Sequence, residues 1–471
     1  MKTTKKRITA GILLAVSLSL ACFSVQAQDT VLTLQKALSI ALSKQQILKA
    51  KDNYAKASAE GVISARRDGL PDLTLSAQQA YGTINGINGL SSGLPGLTTI
   101  TNGPISATQN WNAAFGAFYS SGIDWNIFSF GLQRAHVAEA KGFADRDAAD
   151  LEQEKFQQQV RVAGAYLNLL AARQLHYSME VNLMRVSQLR DVIRIRTVNG
   201  LNAGVDSTIA NAELSNARMA VIDAINYEQS QAANLAQQMG VDNQSFALDS
   251  TYINQLPSRL PEQVVEDISN NPQLKFLAAR VKSSDLSVDF IAKTSLPRLS
   301  LFGVLQERGS GFGTAYNPNV PDSYNPGYFD GIDPVRGNYL IGIGITWNLT
   351  DMSRVISRVK SQHYNSDALK NEYNYQENNL TNQLKEGNKQ LANALQKYRE
   401  APIQLKAANE AYGQKKNLYS NGLATIVDVT QTLYNLNRAE TDKDIASTAV
   451  WQALLYMAAS SGKFNLFTNQ F

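Results

Sequence analysis

Two aspartates hold matching places in this chain. Asp206 stands five residues after the leucine of Asn199-Gly200-Leu201, and Asp428 stands five after that of Asn421-Gly422-Leu423. A helix-like stretch follows each one. The carboxylates therefore sit near a helix start, where free amides and the dipole favour negative charge. Capping is the plain chemistry of such a position. Other chemistries lack their parts. His136, His176 and His363 are far apart, and no cysteine or histidine cluster has metal-ligand spacing. His176 and Glu180 are one helical turn apart and read as an exposed pair. The run Gly309-Ser310-Gly311-Phe312-Gly313 lacks the Lys-Ser/Thr ending of a phosphate loop, and Ser460-Ser461-Gly462-Lys463-Phe464 lacks its upstream glycine. There is no Gly-x-Ser-x-Gly elbow. The sequence predicts no enzyme, no cofactor and no metal.

The two aspartates belong to a longer repetition. Asn199-Gly200-Leu201 recurs 222 residues later, as Trp125-Asn126-Ile127 does in Trp347-Asn348-Leu349. Gly69-Leu70-Pro71-Asp72-Leu73 resembles Ser295-Leu296-Pro297-Arg298-Leu299 at an offset of 226, and the extra residues fall in loops. Each unit reads helix, strand, loop, strand, long helix, turn, returning helix. This predicts a first repeat over 28–254, with strands near 71–82 and 108–130 and a hairpin tip at 198–206. A second repeat covers 255–471, with strands near 297–308 and 337–350, a tip at 419–428 and a C-terminal tail.

The strands are read from a period of two. Trp111, Ala113, Phe115, Ala117, Tyr119, Ser121, Ile123, Trp125 and Ile127 share one face, with small and polar residues between them. Tyr339, Ile341, Ile343, Ile345, Trp347 and Leu349 repeat the pattern. Such strands are long enough to cross a membrane. A barrel wall and a soluble sandwich face both fit. Long loops rich in Gly, Asn and Pro follow, near 82–107 and 309–337. The period then becomes helical. Val160, Ala163, Leu167, Leu170, Gln174, Tyr177, Val181 and Met184 step by three and four, as in a coiled-coil seam. A helix over 135–197 would be roughly 95 Å long and must pack along its length. In the second half, 355–420 repeats this with Leu369, Tyr373, Leu380, Leu391, Leu395 and Tyr398. Pro402 predicts a kink or restart there.

The first 27 residues read as a Sec signal peptide. Lys2, Lys5, Lys6 and Arg7 precede the apolar run Ile8–Leu20, and Val25-Gln26-Ala27 closes it. An uncleaved anchor and a lipid-modified Cys22 are the other readings. The chain has 44 Lys+Arg against 40 Asp+Glu, and cleavage would remove four basic residues. That balance gives no support to nucleic-acid binding. No later stretch is apolar enough for a transmembrane helix.

Two units supply four strands, and an open sheet edge is not viable in lipid. A barrel of at least eight strands needs more than one copy. Three copies give twelve strands and leave a pore, whereas two would fill their lumen with side chains. The chain resembles the TolC family of outer-membrane efflux and secretion channels, on "TLQKALSIALS", "GLPDLTLS", "SLPRLSLF", "WNIFSFG", "WNLTD" and above all "NGLATIVDV". The resemblance implies a mixed, mainly α membrane protein. It would be a homotrimer, with a 12-stranded outer-membrane β-barrel continued by a long periplasmic α-helical barrel and an equatorial domain. Its partners would be outer-membrane lipid, a periplasmic adaptor and an inner-membrane pump of RND, ABC or MFS type. It would serve as the exit duct of a tripartite efflux pump or of type I secretion. A periplasmic coiled-coil spacer or adaptor with a β-domain is the alternative.

The resemblance also implies roles at the tips. Asp428 falls on a motif whose carboxylates ring the periplasmic constriction. A second acidic ring would fall at Gln431. Asp206 and Tyr419 fall on a link between repeats that holds the tip closed, and the basic residue of another link would fall at Ala424. The turns Asn199-Gly200-Leu201 and Asn421-Gly422-Leu423 are the expected adaptor-docking points. The sequence alone leaves Asp206 as either a helix cap or a gate residue.

Overall fold

The computed structural model describes residues 31–86, 103, 105–242, 246–249, 251–258, 267–317 and 319–470. The expected leader, with Cys22, lies outside the described residues. In chain order the elements are α1 (Leu34–Lys44), α2 (Gln46–Arg67), β1 (Asp72–Thr83), β2 (Ala113–Phe128), α3 (Leu132–Val198), α4 (Gly204–Met239), α5 (Thr251–Asn254), α6 (Pro272–Lys293), β3 (Arg298–Ser310), α7 (Tyr328–Ile332), β4 (Arg336–Thr346), α8 (Asp351–Ser420), α9 (Ile426–Ser461) and α10 (Asn465–Thr468). Helix predominates. Contacts divide the chain into two units. One joins Asp52–Ala149 to Phe276–Tyr373, and the other holds the described residues up to Lys51, Asp150–Lys275 and the chain from Asn374 onward.

In the first of these units the four strands form one antiparallel sheet in the order β1-β2-β3-β4. Its register gathers the odd-numbered residues on one face, because antiparallel partners share a face. Leu73 lies opposite Ile123, Trp125 opposite Leu301, and Leu301 opposite Ile343. This apolar face stays open in the single chain, with Leu75 82% and Ile343 66% exposed. The other face carries Thr74, Ser76, Ser120, Asp124, Ser300, Gln306, Asn338 and Thr346. At the helical end, the motifs that recur along the chain meet in pairs. Trp125 Nε1 donates to Gly69 O at 3.0 Å, and Trp347 Nε1 donates to Ser295 O at 3.0 Å. Strand β4 stops at Thr346, short of the expected 350, because Asn348 Oδ1 turns to accept from the Asp351 amide that opens α8.

The other unit is helical. Around Trp451, Tyr166, Leu167 and Phe467 the midparts of α3 and α8 and the C-terminal part of α9 pack with α1 and α10. The polar tips of the large rings find partners, as buried donors must. Tyr166 Oη donates to Leu32 O at 2.9 Å, and Trp451 Nε1 donates to Gln255 O at 3.1 Å. A second cluster joins Val186, Leu189 and Ile193 of α3, Leu214 of α4, Tyr412 and Tyr419 of α8, and Val429 and Leu433 of α9. Among the described residues, no helix is long and apolar enough to cross a membrane.

Two helical expectations are corrected. The seam on α3 holds through Ala163, Leu167 and Leu170, then fails. Tyr177 is 62% and Met184 59% exposed, while Ser178, Val186, Leu189 and Ile193 are buried. A helix turning 3.6 residues per turn drifts against a strict 3.5-residue stripe, so the buried line moves round the helix. Helix α8 also does not restart at Pro402, which lies inside it. Proline removes only its own donation and crowds one turn. Ala394, Ala401 and Tyr412 are buried on both sides of it and hold the flanking turns.

Candidate functional site

The two long helices end alike. Gly200 N donates to Thr197 O at 3.0 Å and Leu201 N to Arg196 O at 2.9 Å; Gly422 N donates to Tyr419 O at 3.0 Å and Leu423 N to Leu418 O at 2.9 Å. This wrap needs a left-handed residue, and φ is +72° at Gly200 and +75° at Gly422. The glycines, not Asn199 and Asn421, take that conformation. Nothing lies within 4 Å of a Cβ built on either glycine, so backbone freedom rather than space selects them. Asn199, Leu201, Asn421 and Leu423 are exposed.

The return helices start differently. On α9 the N-cap is Thr425. Its hydroxyl accepts from Asp428 N at 3.2 Å, and Asp428 Oδ2 accepts from Thr425 N at 3.1 Å. This reciprocal pair is a capping box. Lys415 Nζ stands 3.9 Å from the same carboxylate. The Thr425 amide, then its hydroxyl, and the charge of Lys415 hold the Asp428 carboxyl below its ordinary value. Gln431 is exposed and reaches Asn435 Oδ1 at 3.3 Å.

On α4 the N-cap is Ala203, whose methyl group can make no capping hydrogen bond. Asp206 turns instead to Asn202, whose Nδ2 donates to Asp206 Oδ2 at 2.8 Å and also to Tyr419 Oη. Asp206 and Tyr419 are thus joined through Asn202 rather than directly. Arg196 completes the cluster. Its Nη1 donates to Ser420 O at 2.9 Å, its Nε to Asn202 Oδ1 at 3.0 Å, and its guanidinium lies 5.8 Å from the Tyr419 ring centre. Burial first, and the Asp206 charge second, push the Tyr419 hydroxyl above its ordinary value.

Further along the hairpins, Arg185 grips Glu440 with two hydrogen bonds of 2.7 and 2.5 Å. One turn on, burial raises the Asp444 carboxyl above its ordinary value. His176 is half-buried, and its nearest acid is Glu228 on α4 at 2.6 Å rather than Glu180 at 3.4 Å. Sequence reasoning missed Arg196, Asn202 and Thr425. A signal existed. At the 222-residue offset Asn202 faces Ala424 and Ala203 faces Thr425, so each copy keeps a polar residue where the other has alanine.

A comparison with curated protein sequences found no match. The sequence profile described as "Outer membrane efflux protein" matches residues 264–463. Solved structures share the fold. The outer membrane protein VceC from Vibrio cholerae has a TM-score of 0.70 at 16% identity, covering 91% of this chain and 96% of that one. The CmeC outer membrane channel of Campylobacter jejuni has a TM-score of 0.72 at 15% identity, covering 91% of this chain and 85% of that one. The open state of the MtrE channel of Neisseria gonorrhoeae has a TM-score of 0.67 at 17% identity, covering 91% and 88%. A profile match through most of the second half, and a fold shared with these channels over nine-tenths of the length, make this chain similar to outer membrane efflux proteins.

Proposed function

We propose that three copies of this chain close a twelve-stranded barrel in the outer membrane and line a tunnel that serves as the exit duct of a tripartite efflux pump. One observation carries this reading. The sheet has an exposed, largely apolar face, an opposite face where polar residues mix with Phe118, Phe302, Val304 and Leu340, and two edge strands, β1 and β4. Edges that end in lipid leave backbone groups unsatisfied, so copies must pair β1 with β4. A tandem origin is supported by two return helices of 36 residues each and by left-handed glycines after both, Gly240 and Gly462. The duct is passive, and its energy comes from an inner-membrane pump through a periplasmic adaptor that meets the Asn199 and Asn421 turns. Small toxic compounds are the favoured cargo, since the profile that matches the second half is one of efflux proteins.

At the tips, Asp428 and Gln431 line the constriction, and the Asp206–Asn202–Tyr419 link holds it closed. Arg196 supplies the positive charge that Ala424 does not. The reading is tested on purified protein in planar bilayers. A heat-labile trimer with a low resting conductance that rises in Tyr419→Phe is expected. A monomer that stays soluble without detergent would overturn the barrel. A tight resting state unchanged by Tyr419→Phe would overturn the latch.

A further inference from the structure

The apolar face of the sheet ends abruptly. Its rows run through Ile345, then Ile343 with Leu301 and Trp125, then Ile341 with Ile123 and Leu73, then Tyr339 with Leu305 and Leu75. The next row holds Tyr119, Glu307 and Gly337. Beyond it the strands continue, but a strap built from α7 covers their odd-numbered face. Tyr328 Oη donates to Gln79 Oε1 at 2.7 Å, and Tyr119 Oη donates to Ile332 O at 3.3 Å. The Tyr328 ring meets Phe115 edge-on at 5.0 Å. The fit is close. A Cβ on Gly331 would come within 2.4 Å of Phe115, and one on Gly309 within 2.7 Å of the Gly331 carbonyl. The strap is therefore fixed, yet it leaves Phe329 79% exposed beside Tyr328.

We infer that this strap is a foot resting on the headgroup layer of the outer leaflet, with Phe329 entering the lipid boundary. A free-standing aromatic is costly in water and favoured at a membrane interface, where its apolar ring and polar neighbours are both served. Its place argues for lipid over other occupants. It lies on the same face as the apolar rows and begins at the row where Glu307 ends them. The inference rests on the barrel reading above.

The test separates the two. Nitroxide labels are placed by Ile343→Cys, Phe329→Cys and Asn319→Cys in the full protein with Cys22 replaced by serine, reconstituted in lipid nanodiscs. Phe329 and Asn319 are exposed, so labels there cost little folding energy. Relaxation by oxygen is compared with relaxation by a water-soluble nickel chelate. The oxygen-to-nickel ratio should be highest at Ile343 and lowest at Asn319, and at Phe329 it should exceed the Asn319 value by about threefold or more. Equal ratios at Phe329 and Asn319, with Ile343 in lipid, would overturn the foot alone. A water-exposed Ile343 would overturn the barrel beneath it.

Discussion

The two hairpin turns close with the same hydrogen bonds and reopen with different ones. After Gly422 the chain caps its own helix, and the Asp428 carboxylate is taken up by Thr425. After Gly200 the cap residue is Ala203, and the Asp206 carboxylate is left to bind Asn202 and, through it, Tyr419 of the other hairpin. A carboxylate placed three residues after the cap can serve its own helix or a neighbour, not both equally. One missing hydroxyl decides which. The turns are therefore not equivalent, although their sequences are alike. One is self-contained, and the other is a clasp.

The largest effect should come from removing the clasp's charge. Arg196→Ala loses hydrogen bonds to Ser420 O and Asn202 and the stacking on Tyr419. Charged hydrogen bonds contribute about 1.5–3 kcal/mol when well shielded, and partial exposure lowers that, so about 2 kcal/mol is expected. Amide exchange at Gly422 and Leu423 should quicken roughly thirtyfold. Leu418 occupies the matching place in the other hairpin. If Leu418→Ala speeds exchange at Gly200 and Leu201 as much, the asymmetry lies in packing, not in the clasp.

A smaller effect comes from exchanging the caps. Thr425→Ala should destabilise the start of α9 by about 1 kcal/mol. Ala203→Thr should stabilise the start of α4 by a similar amount, because a hydroxyl there offers Asp206 a capping box. It should also draw Asp206 from Asn202, so the resting conductance should rise although the helix is firmer. A firmer helix with an unchanged conductance would show that the clasp does not depend on Asp206.

These turns also mark what the sequence made legible. The alternation of Leu73, Leu75, Ile341 and Ile343 located the strands, because an apolar face with period two survives whatever it packs against. The seam on α3 was readable only to Leu170, since a straight helix drifts and Tyr177 no longer faces its neighbours. Helix α8 runs on through Pro402 without a restart because local propensity yields to the packing of Ala394 and Ala401. Asp206 and Tyr419 were expected as a linked pair from the resemblance, and the structure joins them through Asn202, which with Arg196 was not anticipated. Searching two copies for sameness passes over the positions where they differ. Here the difference between Asn202 and Ala424 sets the contact.

The smallest effect, and the finest test of the comparison, is in pH. The Asp428 carboxyl is depressed by the cap it makes. Its contribution is therefore fully present above the ordinary carboxylate value of 3.8 and lost as pH falls through the lower folded value. The Tyr419 hydroxyl is raised by burial and by Asp206. Its contribution is present below the ordinary value of 10.0 and lost as pH rises through the higher folded value, when a phenolate would face a carboxylate. The self-contained turn should loosen in acid and the clasp in alkali, with a flat region between. A conductance titration from about pH 3 to about pH 11 reads both limbs. Asp428→Asn should erase the acid limb alone, and Tyr419→Phe the alkaline limb alone. If Tyr419→Phe leaves the alkaline limb standing, the titrating group is another, and Tyr412, whose hydroxyl burial also raises, is the one to replace next.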